Sequence, residues 1–389
     1  MATVHEALAA RAARPQEAEG KEAMKVVIAG GGTGGHLYIG VAVAKELQRR
    51  APDHEVIFVG AHRSLEARIV PNEGFRLEFV SSAGLKGVGA LRALRNLMLI
   101  PRSLRQSRRL LLEHAPDVVV GVGGYSSGPV VLAGWWLGKP TLIIEPNAFP
   151  GLANRWLARV ADRVAVALPE TARYFGAKAV VTGIPVRPEF PLVTRREHGP
   201  GRLTVLIYGG SQGSHALNTV VCEALEGLKA LGPGLQIIHQ TGERDLEAVR
   251  AAYRRAGVRW EARAFLPRIY EEFERADLIV ARAGAGTIAE ITAAGKAALL
   301  VPFPQAADDH QTRNARALEE HGAARLIPQS ELDAARLVRE IHRYMEHPEE
   351  IRPMEEAARR LARPDAAAKI VDLIFELGTV RAARAANRN

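Results

Sequence analysis

Short, almost wholly apolar runs recur along this chain, separated by segments whose apolar residues fall at helical spacing. KVVIAG (25–30), EVIFVG (55–60), DVVVGVG (117–123) and PTLIIE (140–145) come first, with residues 41–50 among the amphipathic stretches between them. A strand with one wet face alternates apolar and polar residues, whereas a strand covered on both faces does not. The runs therefore predict a parallel sheet flanked by helices. After Pro185 the pattern restarts with RLTVLIYGG (202–210), LQIIHQ (235–240), ADLIVA (276–281) and AALLVPF (297–303). The expected fold class is α/β, with two Rossmann-like domains facing one another across a cleft.

TGIPVRPEFP (182–191), with three prolines, reads as the linker, which gives domains of 24–184 and 185–365. The helical stretch 366–378 is expected to return to the first domain. Residues 1–23 mix both charge signs and lack an apolar core of signal-peptide length, so a disordered extension is expected there, with Met24 opening the fold.

Each half opens with a strand followed by a glycine turn, VIAGGGTGGH (27–36) and LIYGGSQGSH (206–215). Gly30, Gly32 and Gly35 satisfy G-x-G-x-x-G, which often marks a dinucleotide site. A nicotinamide site also needs an acid at the end of the second strand to hold the ribose. That strand ends Phe58-Val59-Gly60-Ala61-His62-Arg63, without a carboxylate; the arginine would suit a phosphorylated dinucleotide.

ARAGAGTIAE (281–290) makes a better nucleotide site, because strand, turn and helix follow in order. Backbone N–H groups at such a helix start, aided by the dipole, hold a diphosphate. Glu290, one turn inside, either accepts from the ribose hydroxyls or offsets the dipole. In PFPQAADDHQTRNA (302–315), Asp308-Asp309-His310 invites a metal ion, yet neighbours at a helix start diverge by about 100° and do not converge on one ion. Gln311 and Asn314 share a helix face that suits sugar hydroxyls or capping.

The net charge of +9 points to an anionic partner: nucleic acid, a phosphorylated ligand or a membrane surface. With aromatics at only 5%, a single-strand stacking platform is disfavoured, and Trp135 and Trp136 are expected to pack. A single cysteine, Cys222, rules out an internal disulfide and reads as a small core residue. No run reaches the length of a membrane span. From Phe79 to Leu112 there is no acid, while Lys86, Arg92, Arg95 and Arg102 are interleaved with Leu97, Met98, Leu99 and Ile100. Such a segment fits anionic lipid, or is a helix pair with a solvated basic face. A nucleic-acid-binding module would explain the charge but not the 281–290 turn.

Seven motifs in order, GGTGGH, GGYSSGP, NAFPGLANRW, GIPVRPEF, GGSQGSHALN, RAGAGTIAE and AADDHQTRNA, resemble the MurG family of bacterial peptidoglycan glycosyltransferases. The resemblance implies GT-B architecture and inverting transfer of N-acetylglucosamine from UDP-N-acetylglucosamine to the muramoyl 4-hydroxyl of lipid I. It implies no cofactor and no required metal. It also implies a peripheral place on the cytoplasmic face of the inner membrane, an anionic membrane surface and other cell-wall synthesis proteins as partners, and no nucleic acid. A transferase of the same architecture acting on diacylglycerol is the nearest rival. GGYSSGP together with NAFPGLANRW favours lipid I.

By the same resemblance Thr33, Gly34 and Gly35 approach the donor from the first domain, and Asn147 contacts its sugar. Arg187, Ser211 and the run Ala285, Gly286, Thr287, Ile288, Ala289, Glu290 surround the nucleotide and diphosphate. The Leu266 backbone resembles the uracil contact, Glu290 the ribose contact and Gln311 the sugar contact. Ile39, Ile144, Pro146, Ala283 and Gln305 depart from the usual pattern, where Pro, His, Gln, Ser and His are common. A single displacement needs a base, a stabilised leaving group and alignment of the reactants. Without a metal, helix N-termini and Arg187 take the second task. His36 is the candidate base, or else an orienting or diphosphate-binding histidine. His215 occupies the matching position of the second turn.

Overall fold

A computed structural model describes residues 23–31, 34–61, 66–82, 90–194, 196–210 and 212–386. Thr33, Lys86 and Ser211 lie outside the described residues, as do the side chains of Arg92, Arg95, Leu97 and Met98. The chain divides into two compact units. One runs to Val186 and resumes at Arg363; the other is Arg187–Ala362.

The first unit holds seven parallel strands: β1 (Lys25–Gly30), β2 (Glu55–Ala61), β3 (Arg76–Val80), β4 (Val118–Gly123), β5 (Thr141–Glu145), β6 (Arg163–Val166) and β7 (Ala179–Val181). Their order is β3-β2-β1-β4-β5-β6-β7. β1 sits between β2 and β4, with Val27 paired to Ile57 and to Val119, and Val26 to Ala29 are fully buried. That burial on both faces is what the unbroken apolar runs required.

The second unit repeats the plan with β8 (Leu203–Tyr208), β9 (Leu235–Gln240), β10 (Arg259–Arg263), β11 (Leu278–Ala281), β12 (Ala297–Leu300) and β13 (Arg325–Leu326). The order is β10-β9-β8-β11-β12-β13, again all parallel. In each sheet the winding reverses beside the opening strand, between β1 and β4 and between β8 and β11. Such a reversal leaves a crevice at the carboxyl ends of the two strands, where doubly wound folds bind ligands.

The helices used below are α1 (Gly34–Arg50), α2 (Ala90–His114), α3 (Ser127–Trp136), α4 (Leu152–Leu157), α5 (His215–Ala230), α6 (Ile269–Arg275), α7 (Ala285–Ala294), α8 (His310–Glu320), α9 (Ile351–Leu361) and α10 (Ala366–Ala386). α10 packs on α1 of the first unit, and ion pairs Arg50–Asp372 (2.6 Å) and Arg163–Glu376 (2.8 Å) hold its outer side.

Candidate active site

Two turns leave the neighbouring strands β8 and β11 at the reversal point of the second unit, 209–214 and 282–284, and each opens a helix. The first turn is pressed against the turn after β9. Gly213 and Gly242 both have positive φ (74° and 77°), and a Cβ on Gly213 would strike the Thr241 carbonyl while one on Gly242 would strike the Gln212 carbonyl. Only glycine fits there. Gln240 Nε2 donates to Gly210 O at 2.7 Å.

Arg282, which the sequence reading passed over, joins the two turns. Its Nε donates to Ser214 Oγ at 3.0 Å, and its Nη1 donates to the carbonyls of Val301 and Pro302 at 3.0 and 3.1 Å. Its Nη2 donates to Gln329 Oε1 at 2.7 Å. Burial lowers its pKa to about 10, so it stays charged at neutral pH. Ser214 in turn caps α5 by accepting from Leu217 N at 3.5 Å.

α7 starts at Ala285 with Gly284 as its cap in extended geometry and no side-chain cap. Gly286, Thr287, Ile288 and Ala289 complete its first turn, and Glu290 follows, partly buried. Arg187 comes from the linker, its Nη1 donating to Pro267 O at 2.7 Å beside buried Leu266. Its guanidinium lies 5.3 Å from the centre of Phe190 and 5.5 Å from that of Tyr270. Phe190 in turn packs edge-on to Phe273, which meets Tyr208 at 5.8 Å. This aromatic support holds a cation near Glu290. Burial raises the Glu290 carboxyl to about 7, with Arg187 pulling it back down. Arg187 is thus tied to the carbonyl next to Leu266 and acts electrostatically on Glu290, all within one unit.

Gln311 Oε1 accepts from Phe303 N at 2.9 Å and closes the turn before α8. That turn carries Asp308 and Asp309 at φ 55° and 52°, a strained pair of non-glycine residues of the kind that collects at functional turns. Asn314 does not share Gln311's outlook, contrary to the expectation from their spacing. It is buried, and its Nδ2 donates to Ala283 O at 3.1 Å, tying α8 to the turn before α7. Among the described residues no three His, Cys, Asp or Glu side chains gather in a metal-binding arrangement.

At the reversal point of the first unit the turns after β1 and β4 touch. Gly31 N donates to Gly123 O at 3.1 Å, and a side chain on Gly124 would strike the Gly31 backbone. Gly35 and His36 lie in the first turn of α1, and the His36 ring lies over Gly123, 2.7 Å from where a Cβ would stand. Glu66 is buried and fills the space that a Gly31 side chain would need. Neither Glu66 nor its place behind the turn was legible from spacing.

After β5, buried Glu145 organises the loop to α4. It accepts from Asn147 N and Asn147 Nδ2 at 3.0 Å, from Gly151 N at 3.1 Å and from Asn154 Nδ2 at 2.9 Å. Burial raises its pKa against the pull of those donors. Asn147 is therefore held by the carboxylate that Ile144 and Pro146 flank.

Residues 26–166 match the glycosyltransferase family 28 N-terminal domain, and residues 204–370 match its C-terminal domain. A protein of Anaeromyxobacter sp. (strain Fw109-5) is 48% identical over 91% of this chain and 93% of its own length. It is named UDP-N-acetylglucosamine--N-acetylmuramyl-(pentapeptide) pyrophosphoryl-undecaprenol N-acetylglucosamine transferase. This chain belongs to the MurG family. A Myxococcus xanthus (strain DK1622) relative of the same name is 45% identical over 91% of the chain and 93% of its own length. The crystal structure of Acinetobacter baumannii MurG superposes with a TM-score of 0.74 at 33% identity, covering 91% of this chain and 99% of that one.

One expectation is corrected on the outer face of the first unit. Trp135 and Trp136, at the end of α3, do not pack into the core; they are 51% and 66% exposed. Trp156 on α4 is 61% exposed, with the Arg159 guanidinium 3.9 Å above its ring, and α3 packs against both α2 and α4. Ile100 and Leu112 of α2 are exposed as well, Leu99 is partly buried and Arg102 is exposed. No helix among the described residues is long and apolar enough to cross a membrane.

Proposed function

We infer that this MurG-family chain transfers N-acetylglucosamine from UDP-N-acetylglucosamine to lipid I, giving lipid II for peptidoglycan synthesis. The observation that carries the reading is the 48% identity over nearly the full length of a relative named for that transfer. In the reaction the muramoyl 4-oxygen attacks the anomeric carbon as the bond to the diphosphate breaks, and UDP leaves with the electron pair. The configuration at that carbon inverts. The 4-hydroxyl proton passes to His36, and Thr33, Gly34 and Gly35, which precede it in the sequence, approach the donor.

The donor binds at the reversal point of the second unit. Glu290 accepts from the ribose hydroxyls, the Leu266 backbone meets the uracil, and Gln311 and Asn147 contact the sugar. The start of α7, Ser211 and Arg187 face the diphosphate. Such fixed donors supply the charge stabilisation that a metal gives elsewhere, each worth roughly 2.7–4 kcal/mol. Activity is therefore independent of divalent ions and survives excess chelator.

The enzyme works as a peripheral protein on the cytoplasmic face of the membrane, where its acceptor's diphosphate lies. The exposed tryptophans 135, 136 and 156, the last with Arg159 over its ring, support that placement, since tryptophan favours the interface and arginine favours anionic headgroups. Lys86, Arg92, Arg95 and Arg102, in the acid-free stretch of residues 79–112, add basic charge to the same unit. Vesicles of anionic phospholipid should retain the wild type at low salt and lose a Trp135→Ser, Trp136→Ser, Trp156→Ser variant.

The deciding assay offers purified protein UDP-N-acetylglucosamine with either lipid I or diacylglycerol and separates the products. Lipid II from the first and nothing from the second is expected. A glycosylated diacylglycerol as the main product would overturn the acceptor assignment.

A further inference from the structure

Behind the first glycine turn of the second unit runs a row of polar side chains that the reaction above does not use. His215 is the first residue of α5, and its Nδ1 lies 3.0 Å from Asp245 Oδ2. The same oxygen accepts from Asn218 Nδ2 at 2.7 Å, and that amide also donates to Thr241 O at 2.8 Å. A backbone carbonyl only accepts, so the orientation of Asn218 is fixed and its Oδ1 must accept from His239 Nε2, 3.0 Å away. His239 Nδ1 then accepts from Tyr253 OH at 3.2 Å.

Apart from the Asn218 bond to Thr241 O, every donor in this row points toward Asp245. His239 is fully enclosed, and burial lowers its pKa to about 3, so it stays neutral and keeps that polarity. Burial works against the Asp245 charge, but the bonds from Asn218 and His215 more than offset it and its pKa is lowered. Asp245 is thus a fixed carboxylate with two exposed partners, His215 at 3.0 Å and Arg244 at 4.0 Å. The His215 side chain is 65% exposed, and with Nδ1 turned to Asp245 its Nε2 faces away from the carboxylate.

A structural purpose does not account for this arrangement. For helix stability an acid near the α5 start suffices, and a basic ring beside it works against the dipole. The ring gains a purpose if an anion sits at the reversal point. The α5 and α7 starts leave adjacent strands there, joined by Arg282 through Ser214.

We propose that His215 binds the donor's diphosphate and that Asp245 is the positioning residue that aims it. The proposal rests on the donor-site reading above. As the bond from sugar to phosphate breaks, charge gathers on the departing diphosphate, and the His215 imidazolium, with its Nδ1–H on Asp245, donates to it through Nε2–H. A buried network in which each member is satisfied keeps the donor aimed without reorganisation.

The test measures dissociation constants of UDP and of uridine by calorimetry on the full chain. His215→Ala should weaken UDP about tenfold, or about 1.4 kcal/mol, and leave uridine unchanged. His215→Arg should restore most of the UDP affinity, which a merely structural role would not allow. Asp245→Asn should give a smaller loss, again confined to UDP. Equal losses for UDP and uridine, or no rescue by arginine, would overturn the proposal. If the wild type binds UDP and His215→Ala binds it equally well, this proposal alone falls. If the wild type binds no UDP, the donor-site reading falls and takes the proposal with it.

Discussion

Glu145 Oε2 lies 2.9 Å from Asn154 Nδ2, with both side chains buried between β5 and α4. The carboxylate is an acceptor facing four donor groups, so its exchange for an amide turns an N–H₂ toward at least one of them. Leaving a buried donor unsatisfied costs about 1–3 kcal/mol. Glu145→Gln should therefore lower the melting temperature and, by loosening the loop that carries Asn147, lower kcat. Donor affinity in the other unit, measured with UDP, should be unchanged.

Glu290 gives a pH dependence with a defined sign. Its folded pKa of about 7 lies above the unfolded value near 4.5. The stability it contributes is complete below pH 4.5 and is lost as pH rises through 7. Glu290→Gln should then raise the melting temperature at pH 8, by about 2–4 °C for each kcal/mol in a unit of this size, and change it little at pH 4.5. Binding runs the other way, because the carboxylate is the better acceptor for ribose hydroxyls. Wild-type affinity for UDP should increase from pH 6 to pH 8, and the glutamine variant should show a flat profile.

His36 and Gly123 should behave as one unit in kinetics. His36→Ala is expected to lower kcat by roughly 10²–10⁴ if the ring is the base. Gly123→Ala places a methyl group against the ring at a backbone φ of 95°, so it should displace the imidazole and lower kcat with it. The double variant should then be little worse than His36→Ala alone. Additive losses in this cycle would show that the two residues act separately.

A buried charge cluster sits at the amino ends of the central strands β8 and β11 of the second sheet. His198 Nδ1 is 3.3 Å from Asp277 Oδ1, and its Nε2 is 3.3 Å from Glu355 Oε1 on α9. Their hydrogen bonds raise the His198 pKa to about 9, while burial pushes nearby Lys296 down to about 8. The unfolded pKa of histidine is near 6.5, so the His198 contribution is complete below that value and is lost as pH rises through 9. His198→Gln should cost roughly 3 kcal/mol at pH 6, since it leaves two buried carboxylates facing each other. Denaturant melts of both proteins at pH 6 and pH 9 should show that gap closing.

The central strands could be read from the sequence because burial on both faces leaves a local mark, an apolar run without alternation. Eight such runs correspond to β1, β2, β4, β5, β8, β9, β11 and β12. The strands that escaped notice include RLEFV and RWEAR at the sheet edges, where charged residues alternate with apolar ones, and the two-residue β13. Glycine turns were legible for a similar reason: a positive φ or a close backbone approach is a demand on one position. Other features depend on which strands become neighbours, and that is settled only when the sheets assemble. Arg282 reaches Ser214 across 68 positions because β11 pairs with β8. Asp245 finds His215, and Glu66 fills the space behind Gly31, for the same kind of reason. Trp135 and Trp136 end a helix that is apolar on nearly every side, so their spacing could not say which face the core would cover. Local burial and backbone geometry are written residue by residue, whereas the partners of a buried charge are fixed by strand order.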